Sequence, residues 1–205
     1  MGAARAWDVG DLPRRRGAAY EAVVKVLIAC EFSGVVRDAF LARGHNAISC
    51  DLLQTEVPGP HILGRVEEIL DNGWDLMVAH PPCTYLARSG ARCWHRREYE
   101  QQQAVDFVKL LMNAPIDKIA IENPVGYLST AIRKPDCIYQ PWWFGEPEVK
   151  ATCLWLKALP PLLATEMGQG REERVFRAAP SPTRWKERSR TLKKVGQAMA
   201  RQWGS

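Results

Sequence analysis

The run VVKVLIACEFSGVVRDAFLARGHNAISCD, Val23 to Asp51, holds two strands and the helix between them. Val23 to Ala29 is apolar apart from Lys25 and of strand length, so it reads as a buried strand. It ends at Cys30-Glu31-Phe32-Ser33-Gly34. Ser33 is placed to cap a helix over Val35 to Arg43, whose Val36, Phe40 and Leu41 share one helical face. Gly44 stops that helix, and Ala47-Ile48-Ser49-Cys50 forms a second strand ending at Asp51. The result is a β-α-β unit with a glycine turn at its first crossover and an acid roughly twenty residues on. In nucleotide-type folds such a turn admits the cofactor backbone closely, and the acid binds ribose hydroxyls.

Two later strand ends carry reactive side chains. Leu76-Met77-Val78-Ala79 runs into His80-Pro81-Pro82-Cys83-Thr84, and Lys118-Ile119-Ala120-Ile121 into Glu122-Asn123-Pro124. Both motifs therefore fall at the C-terminal edge of a sheet, where open α/β folds bind ligands. A cysteine on a rigid turn beside a glutamate can attack a pyrimidine ring at C6 while the carboxyl group protonates the ring edge. A structural proline turn with a buried thiol is the plainer account of Pro81-Pro82-Cys83 alone, since free cysteine is among the most buried residues. The Glu-Asn-Pro partner and the upstream glycine turn favour the reactive pair. His80 reads as a satisfied strand-end histidine, outside the catalytic set.

The rest of the chain continues the alternation. Gly64 to Leu70 reads as a short helix, Glu98 to Met112 as a long one, Ala151 to Leu156 as a strand and Leu192 to Trp203 as a final helix. Strands alternating with helices predict a mostly parallel sheet covered on both faces. The loop Trp142-Trp143-Phe144 either offers a stacking surface or packs on its own core; the sequence leaves both open. Residues 1–20, rich in Gly, Ala and Arg, read as a loosely ordered extension before a single domain over 21–205.

Length and composition fit that domain: 205 residues, 46% hydrophobic and 25% charged. The net charge of +5 permits a polyanionic partner without requiring one. Its basic clusters are Arg14-Arg15-Arg16, Arg88 through Arg97 and Arg184 through Lys194, the last two flanking the reactive motifs. The 6 cysteines form no CxxC pair and no zinc-type spacing with histidine, the pattern of a reduced cytosolic protein without a metal. No apolar run reaches membrane-spanning length, and no signal-peptide core is present at the N-terminus.

These motifs resemble the cytosine-5 methyltransferase family, in the short form common among phage and prophage genes. Phe32-Ser33-Gly34 resembles its first, cofactor-binding motif and Asp51 its ribose-binding acid. Pro81-Pro82-Cys83 resembles the nucleophile loop, and Glu122-Asn123-Pro124 the Glu-Asn-Val motif with Pro replacing Val. Gly196-Gln197-Ala198 resembles the last motif, which completes the cofactor pocket. The resemblance implies an α/β, Rossmann-like S-adenosylmethionine-dependent methyltransferase fold. S-adenosylmethionine would be held by Phe32, Ser33, Gly34, Asp51, Leu52, Arg65, Pro81, Gly196 and Gln197. Cys83 and Glu122 would be catalytic, with Pro82, Thr84, Arg88, Asn123 and Lys150 toward the substrate. The implied acceptor is cytosine C5 in nucleic acid, most directly DNA, and the implied setting is the cytoplasm of a bacterium or phage-infected host.

The chain departs from the family pattern in several places. Val35, Val36 and Arg37 replace further glycines of the first motif. Arg65 stands where an acid is expected near the cofactor's adenine. The Gln-x-Arg-x-Arg motif is reduced to Glu148-Val149-Lys150, leaving one lysine for the cytosine O2 role. The DNA-reading segment shrinks to about residues 157–190. Arg88 and Lys150 are the candidates for lowering the Cys83 thiol pKa. An amino-methyltransferase is the rival enzyme, but Cys83 and His80 replace the aromatic and leading polar residues it needs. The departures also leave room for a non-catalytic nucleic-acid-binding or interaction protein on the same scaffold, and for the same chemistry on RNA, single strands or a free nucleotide.

Overall fold

The computed structural model describes residues 22–205; the extension expected over residues 1–20 lies outside the described residues. The strands, in chain order, are β1 (Lys25–Ala29), β2 (Asn46–Asp51), β3 (His61–Leu63), β4 (Leu76–Ala79), β5 (Lys118–Pro124), β6 (Cys137–Tyr139) and β7 (Thr152–Lys157). The helices are α1 (Val35–Ala42), α2 (Glu98–Met112), α3 (Leu128–Ala131), α4 (Arg174–Arg177), α5 (Arg184–Ser189) and α6 (Lys193–Trp203).

β1 is central because both its faces are apolar. Val26 and Ile28 face one side, Leu27 and Ala29 the other, and all are fully buried. The strands join in one 7-stranded sheet of order β3-β2-β1-β4-β5-β7-β6. β7 pairs antiparallel with both β5 and β6, and the remaining pairings are parallel. This is an α/β fold with a mostly parallel sheet.

Helices cover both faces. On one, Val36 and Phe40 of α1 and Val195, Met199 and Trp203 of α6 pack over Val26, Ile28, Leu76 and Val78. On the other, Val105, Val108 and Leu111 of α2 pack over Leu27, Met77, Ile119 and Ile121. Strand order reverses between β1 and β4, which opens a crevice beyond their C-terminal ends. Gly44, at φ +87°, ends α1 as expected, with its N–H donating to the Leu41 carbonyl at 2.9 Å.

The short elements differ from the sequence expectation. The helix expected over Gly64 to Leu70 is only a 3-10 turn at Val66–Glu68, preceded by β3. A three-residue edge strand leaves too little alternation to be seen, and β6 is equally short. Residues 157–190 are irregular apart from α4 and α5. In the aromatic loop, Phe144 is buried edge-on against Tyr139, and Arg171 lies 3.7 Å over the Trp142 ring. Core packing therefore accounts for Phe144, and the Arg171 side chain covers Trp142, so neither ring is a free stacking surface.

Candidate functional site

Parallel register places the two reactive motifs side by side. Ala79 of β4 pairs with Ile121 of β5, so the next residues stand as neighbours, His80 just past the end of β4 and Glu122 still within β5, where it pairs with Leu154 of β7. His80 Nδ1 lies 3.1 Å from Glu122 Oε2, with the two side chains only 9% and 10% exposed. The contact is close but not aligned as a hydrogen bond, and His80 Nε2 is buried without a partner. A second tie joins the motifs: the Asn123 side-chain amide donates to the Pro81 carbonyl at 3.0 Å. Asn123 thus anchors the proline turn from behind, rather than standing open toward a substrate.

Charges at this edge are strongly coupled. Burial alone would raise the Glu122 carboxyl pKa, but His80 outweighs it and, with Lys150 and Tyr139, holds it below the usual carboxylate range. Burial would lower His80, yet Glu122 and then Glu31 raise it. Each partner thus favours the charged form of the other, Glu122 the imidazolium and His80 the carboxylate. Cys83 is half-buried on the following turn, and the Leu86 and Ala87 N–H groups donate to its carbonyl. Burial pushes its thiol pKa up, and Lys150 and Arg188 draw it back only in part.

Lys150 thus acts on the thiol as expected, but Arg88 does not. Arg88 is exposed with its backbone N–H bonded to Val125, and the arginine that acts on Cys83 is Arg188 of α5. Lys150 Nζ also donates to the Arg188 carbonyl at 3.0 Å, tying α5 to the site. The sequence underrates His80, Tyr139 and Arg188. Register could have revealed His80; nothing local in the sequence singles out the others.

The other half of the crevice is built by β1 and β2. Asp51, Leu52 and Arg65 line a cavity of about 200 Å³ together with Glu67, Phe107 and Pro82. Pro82 therefore reaches the place expected for Pro81, which is buried beneath the turn. Asp51 accepts the Leu53 N–H at 2.9 Å through one oxygen. Burial raises its carboxyl pKa, partly opposed by the Leu53 N–H and His61. Arg65 is mostly exposed and pairs with Glu67 at 2.7 Å, so a carboxylate lies at the cavity wall despite the arginine. Cys30, at the end of β1, takes the left-handed conformation with φ 59° and also lines the cavity.

The turn after β1 is not capped as its sequence suggested. Ser33 Oγ accepts only the Val35 N–H, in a long bond of 3.4 Å, whereas Glu31 accepts the Val36 and Arg37 N–H groups at 2.7 and 3.2 Å. Ser33 donates instead to Glu31, at 3.1 Å. Burial, the largest influence, raises the Glu31 pKa, and His80 and the two backbone donors oppose it. Arg37 is fully buried and donates to Asp38, Ser49, Thr55 and the Val57 carbonyl. It fastens the loop of residues 52–60 beside the turn, which explains a non-glycine at that place.

Gly196 and Gln197 do not join this cavity. Gly196 packs α6 against Val35, and Gln197 lines a separate groove of about 770 Å³ along α1 and α6, with Ser33. None of Asp51, Cys83 or Glu122 lines that groove. Phe32 is buried under the Trp185 ring, their centroids 6.2 Å apart. Arg190 grips Glu56 through two contacts of 2.7 and 2.6 Å, so α5 straps the turn after β1 to the loop beyond β2. Thr84 is exposed beside Cys83. Among the described residues no helix is long and apolar enough to cross a membrane, and no group of three His, Cys, Asp or Glu side chains is placed to hold a metal ion.

Comparison with known proteins gives no family: no family model matches the chain, and no curated protein matches it significantly.

Proposed function

We propose that this protein is a Rossmann-like S-adenosylmethionine-dependent methyltransferase that acts on C5 of cytosine in nucleic acid, most directly DNA, through a covalent Cys83 adduct. The observation that carries the reading is the tied edge itself. Asn123 holds the Cys83 turn against β5, the strand that carries Glu122, beside a cavity that begins at Asp51.

The cofactor class fits the residues present. A pyrophosphate cofactor needs the free N–H groups at the start of the first helix. Glu31 already fills that place and adds a buried carboxylate. A carboxyl group there competes with a pyrophosphate for the same donors and suits a cationic sulfonium ligand, which would hold it ionised against the upward push of burial. Asp51 would take the ribose hydroxyls, Glu67 the adenine amine, and Phe107 the face of the base. When bound, S-adenosylmethionine supplies an electrophilic methyl group.

The chain's own residues do the rest. Cys83, as thiolate, adds to C6 and forms an S–C6 bond, while Glu122 delivers a proton to N3. The ring then carries nucleophilic character at C5; after methylation the C5 proton passes to solvent water, and the C5–H electron pair restores the C5–C6 double bond as the S–C6 bond breaks and the Cys83 thiolate leaves. In a duplex the cytosine must first leave the stack, at a cost of a few kcal/mol. Exposed Arg92, Arg96 and Arg97 beyond the Cys83 turn are suited to phosphate contacts, which position without reading sequence.

The test is intact-mass trapping with an oligonucleotide containing 5-fluorocytosine and S-adenosylmethionine, which stalls elimination. A covalent adduct that disappears in Cys83→Ser supports the reading; no adduct on DNA or RNA, double- or single-stranded, refutes it. One observation favours a non-catalytic interaction protein instead: α5 lays Trp185 over Phe32 and closes the turn beside which a cofactor would sit. Calorimetric binding of S-adenosylmethionine to the wild-type chain distinguishes the two.

A further inference from the structure

His80 touches both halves of the crevice. Its backbone N–H donates to the Ala29 carbonyl of β1 at 2.9 Å, and its ring lies 3.1 Å from Glu122 at the end of β5. Both side chains are about nine-tenths buried, and Nε2 has no partner. A buried imidazole nitrogen left unbonded is costly, so a histidine kept only for packing would be better replaced by an apolar residue.

We propose that His80 is the positioning residue that stores the proton used by Glu122, passing it across their contact as the Cys83 sulfur attacks the ring. This rests on the cytosine reading above. The balance is simple. The imidazolium N–H bond breaks and a Glu122 O–H bond forms. A Glu122 O–H bond then breaks as N3 takes the proton and the S–C6 bond forms. One proton moves from His80 to N3, no electron is gained or lost, and elimination returns it by the same route. The unaligned resting contact is what a proton-transfer pair shows before its substrate is bound.

The charged neighbours suit this role. Glu122 on β5 and Glu31 on the turn after β1 both favour the imidazolium, while Lys150, before β7, disfavours it. Asp51 at the end of β2 adds a weaker attraction, and Tyr139 of β6 acts on Glu122. Glu122 and Glu31 together outweigh burial and Lys150, so His80 is raised above an ordinary imidazole. Glu31 also caps the turn where the cofactor is proposed to bind, so that turn and the base-protonating site share one electrostatic unit.

The experiment has two readouts. The first is an NMR titration of the 4 histidines in the wild-type chain and in Glu122→Gln. His80 should titrate above an ordinary imidazole and fall when Glu122 loses its charge, the partner that raises it most. The second is the pH profile of 5-fluorocytosine adduct formation. In His80→Gln its alkaline limb should move to lower pH, with a loss of about 10²-fold or more at pH 8, the scale of general acid catalysis. In a Glu122→Gln background the same change should cost little, because the pair acts as one unit. His80 titrating as an ordinary imidazole, indifferent to Glu122→Gln, overturns the proposal without any variant of His80 having to fold. Adduct formation in His80→Gln with the wild-type pH profile overturns it as well. An absence of adduct with the wild-type chain refutes the cytosine chemistry itself.

Discussion

Substituting Gly34 by alanine tests how the turn after β1 is built. Gly34 stands at φ +75°, and an added Cβ would fall 2.5 Å from Arg37 Nη2 and 2.6 Å from Val57 Cγ2. Arg37 cannot swing away, since it is fully buried and holds Asp38, Ser49, Thr55 and a loop carbonyl. The left-handed backbone costs an ordinary residue about 1–2 kcal/mol. Overpacking a rigid site adds about 1–3 kcal/mol, giving about 2–5 kcal/mol in all. Gly44 supplies the control. It has φ +87° and nothing within 4 Å of an added Cβ, so Gly44→Ala should cost the backbone contribution alone. Urea unfolding measures both. With a slope of about 2 kcal/mol per molar, Gly34→Ala should lower the midpoint by roughly 1–2.5 M and Gly44→Ala by roughly 0.5–1 M. Equal shifts for the two variants would refute the claim that Arg37 is locked against the turn.

Cys83→Ser should abolish adduct formation and methyl transfer while leaving S-adenosylmethionine binding unchanged, since a hydroxyl is a far poorer nucleophile; a comparable rate of labelled methyl transfer would sink covalent catalysis. Asp51→Ala should weaken that binding by about 1.5–3 kcal/mol, roughly 10- to 150-fold, and equal calorimetric affinity would remove Asp51 from the cofactor site. The His80–Glu122 pair also sets a pH window for stability. Glu122 is held below its ordinary 4.5, so its contribution is present above that pH and lost as pH falls through the folded value. His80 is raised above its ordinary 6.5, so its contribution is complete below that pH and lost as pH rises through the folded value. The stability difference between wild type and His80→Gln should therefore peak between pH 4.5 and 6.5, and a difference flat across pH would contradict the pairing.

What could be read in the sequence was what repeats or alternates over many residues. The strands at Val26, Leu76 and Ile119 and the helix ending at Met112 bury enough apolar surface to impose a visible pattern. The three-residue strands β3 and β6 do not, because they take their hydrogen bonds from stronger neighbours. At the site, Cys83 and Glu122 follow from their position after buried strands. The Glu31 cap was missed because Ser33 and Gly34 supply the usual local signal. Glu31 reaches past them to two N–H groups, and only the three-dimensional turn reveals it. Arg188 was missed for a different reason. It lies far from Cys83 in sequence, and the Lys150 and Glu56 contacts that bring its segment back are long-range.

The crevice is electrostatically divided, and that division bears on what the proposed reaction would require. Beyond β1 and β2 the ionisable groups are carboxyls, Glu31 at the start of α1 and Asp51 at the cavity wall, which a cationic ligand would hold ionised against the upward push of burial. Beside Cys83 the charges acting on the thiol from outside the His80–Glu122 pair are positive, Lys150 and Arg188. A sulfonium donor carries positive charge and a nucleic acid acceptor negative charge, so each would meet the half of opposite sign. Desolvation strengthens that sorting, because charges interact more strongly in a buried cleft than in water. It also bears on the reluctant thiol. Cys83 is held protonated mainly by burial, and Lys150 and Arg188 offset that cost only in part. On this reading Lys150 and Arg188, already tied together at the site, favour the thiolate against the cost of burial when the sulfur attacks. Removing Arg188 should then slow adduct formation more than it weakens cofactor binding, because its charge acts on the sulfur while the proposed cofactor cavity is built by other residues. If Arg188→Ala instead lowers S-adenosylmethionine affinity and leaves the adduct rate intact, the positive half of the crevice does not serve the nucleophile.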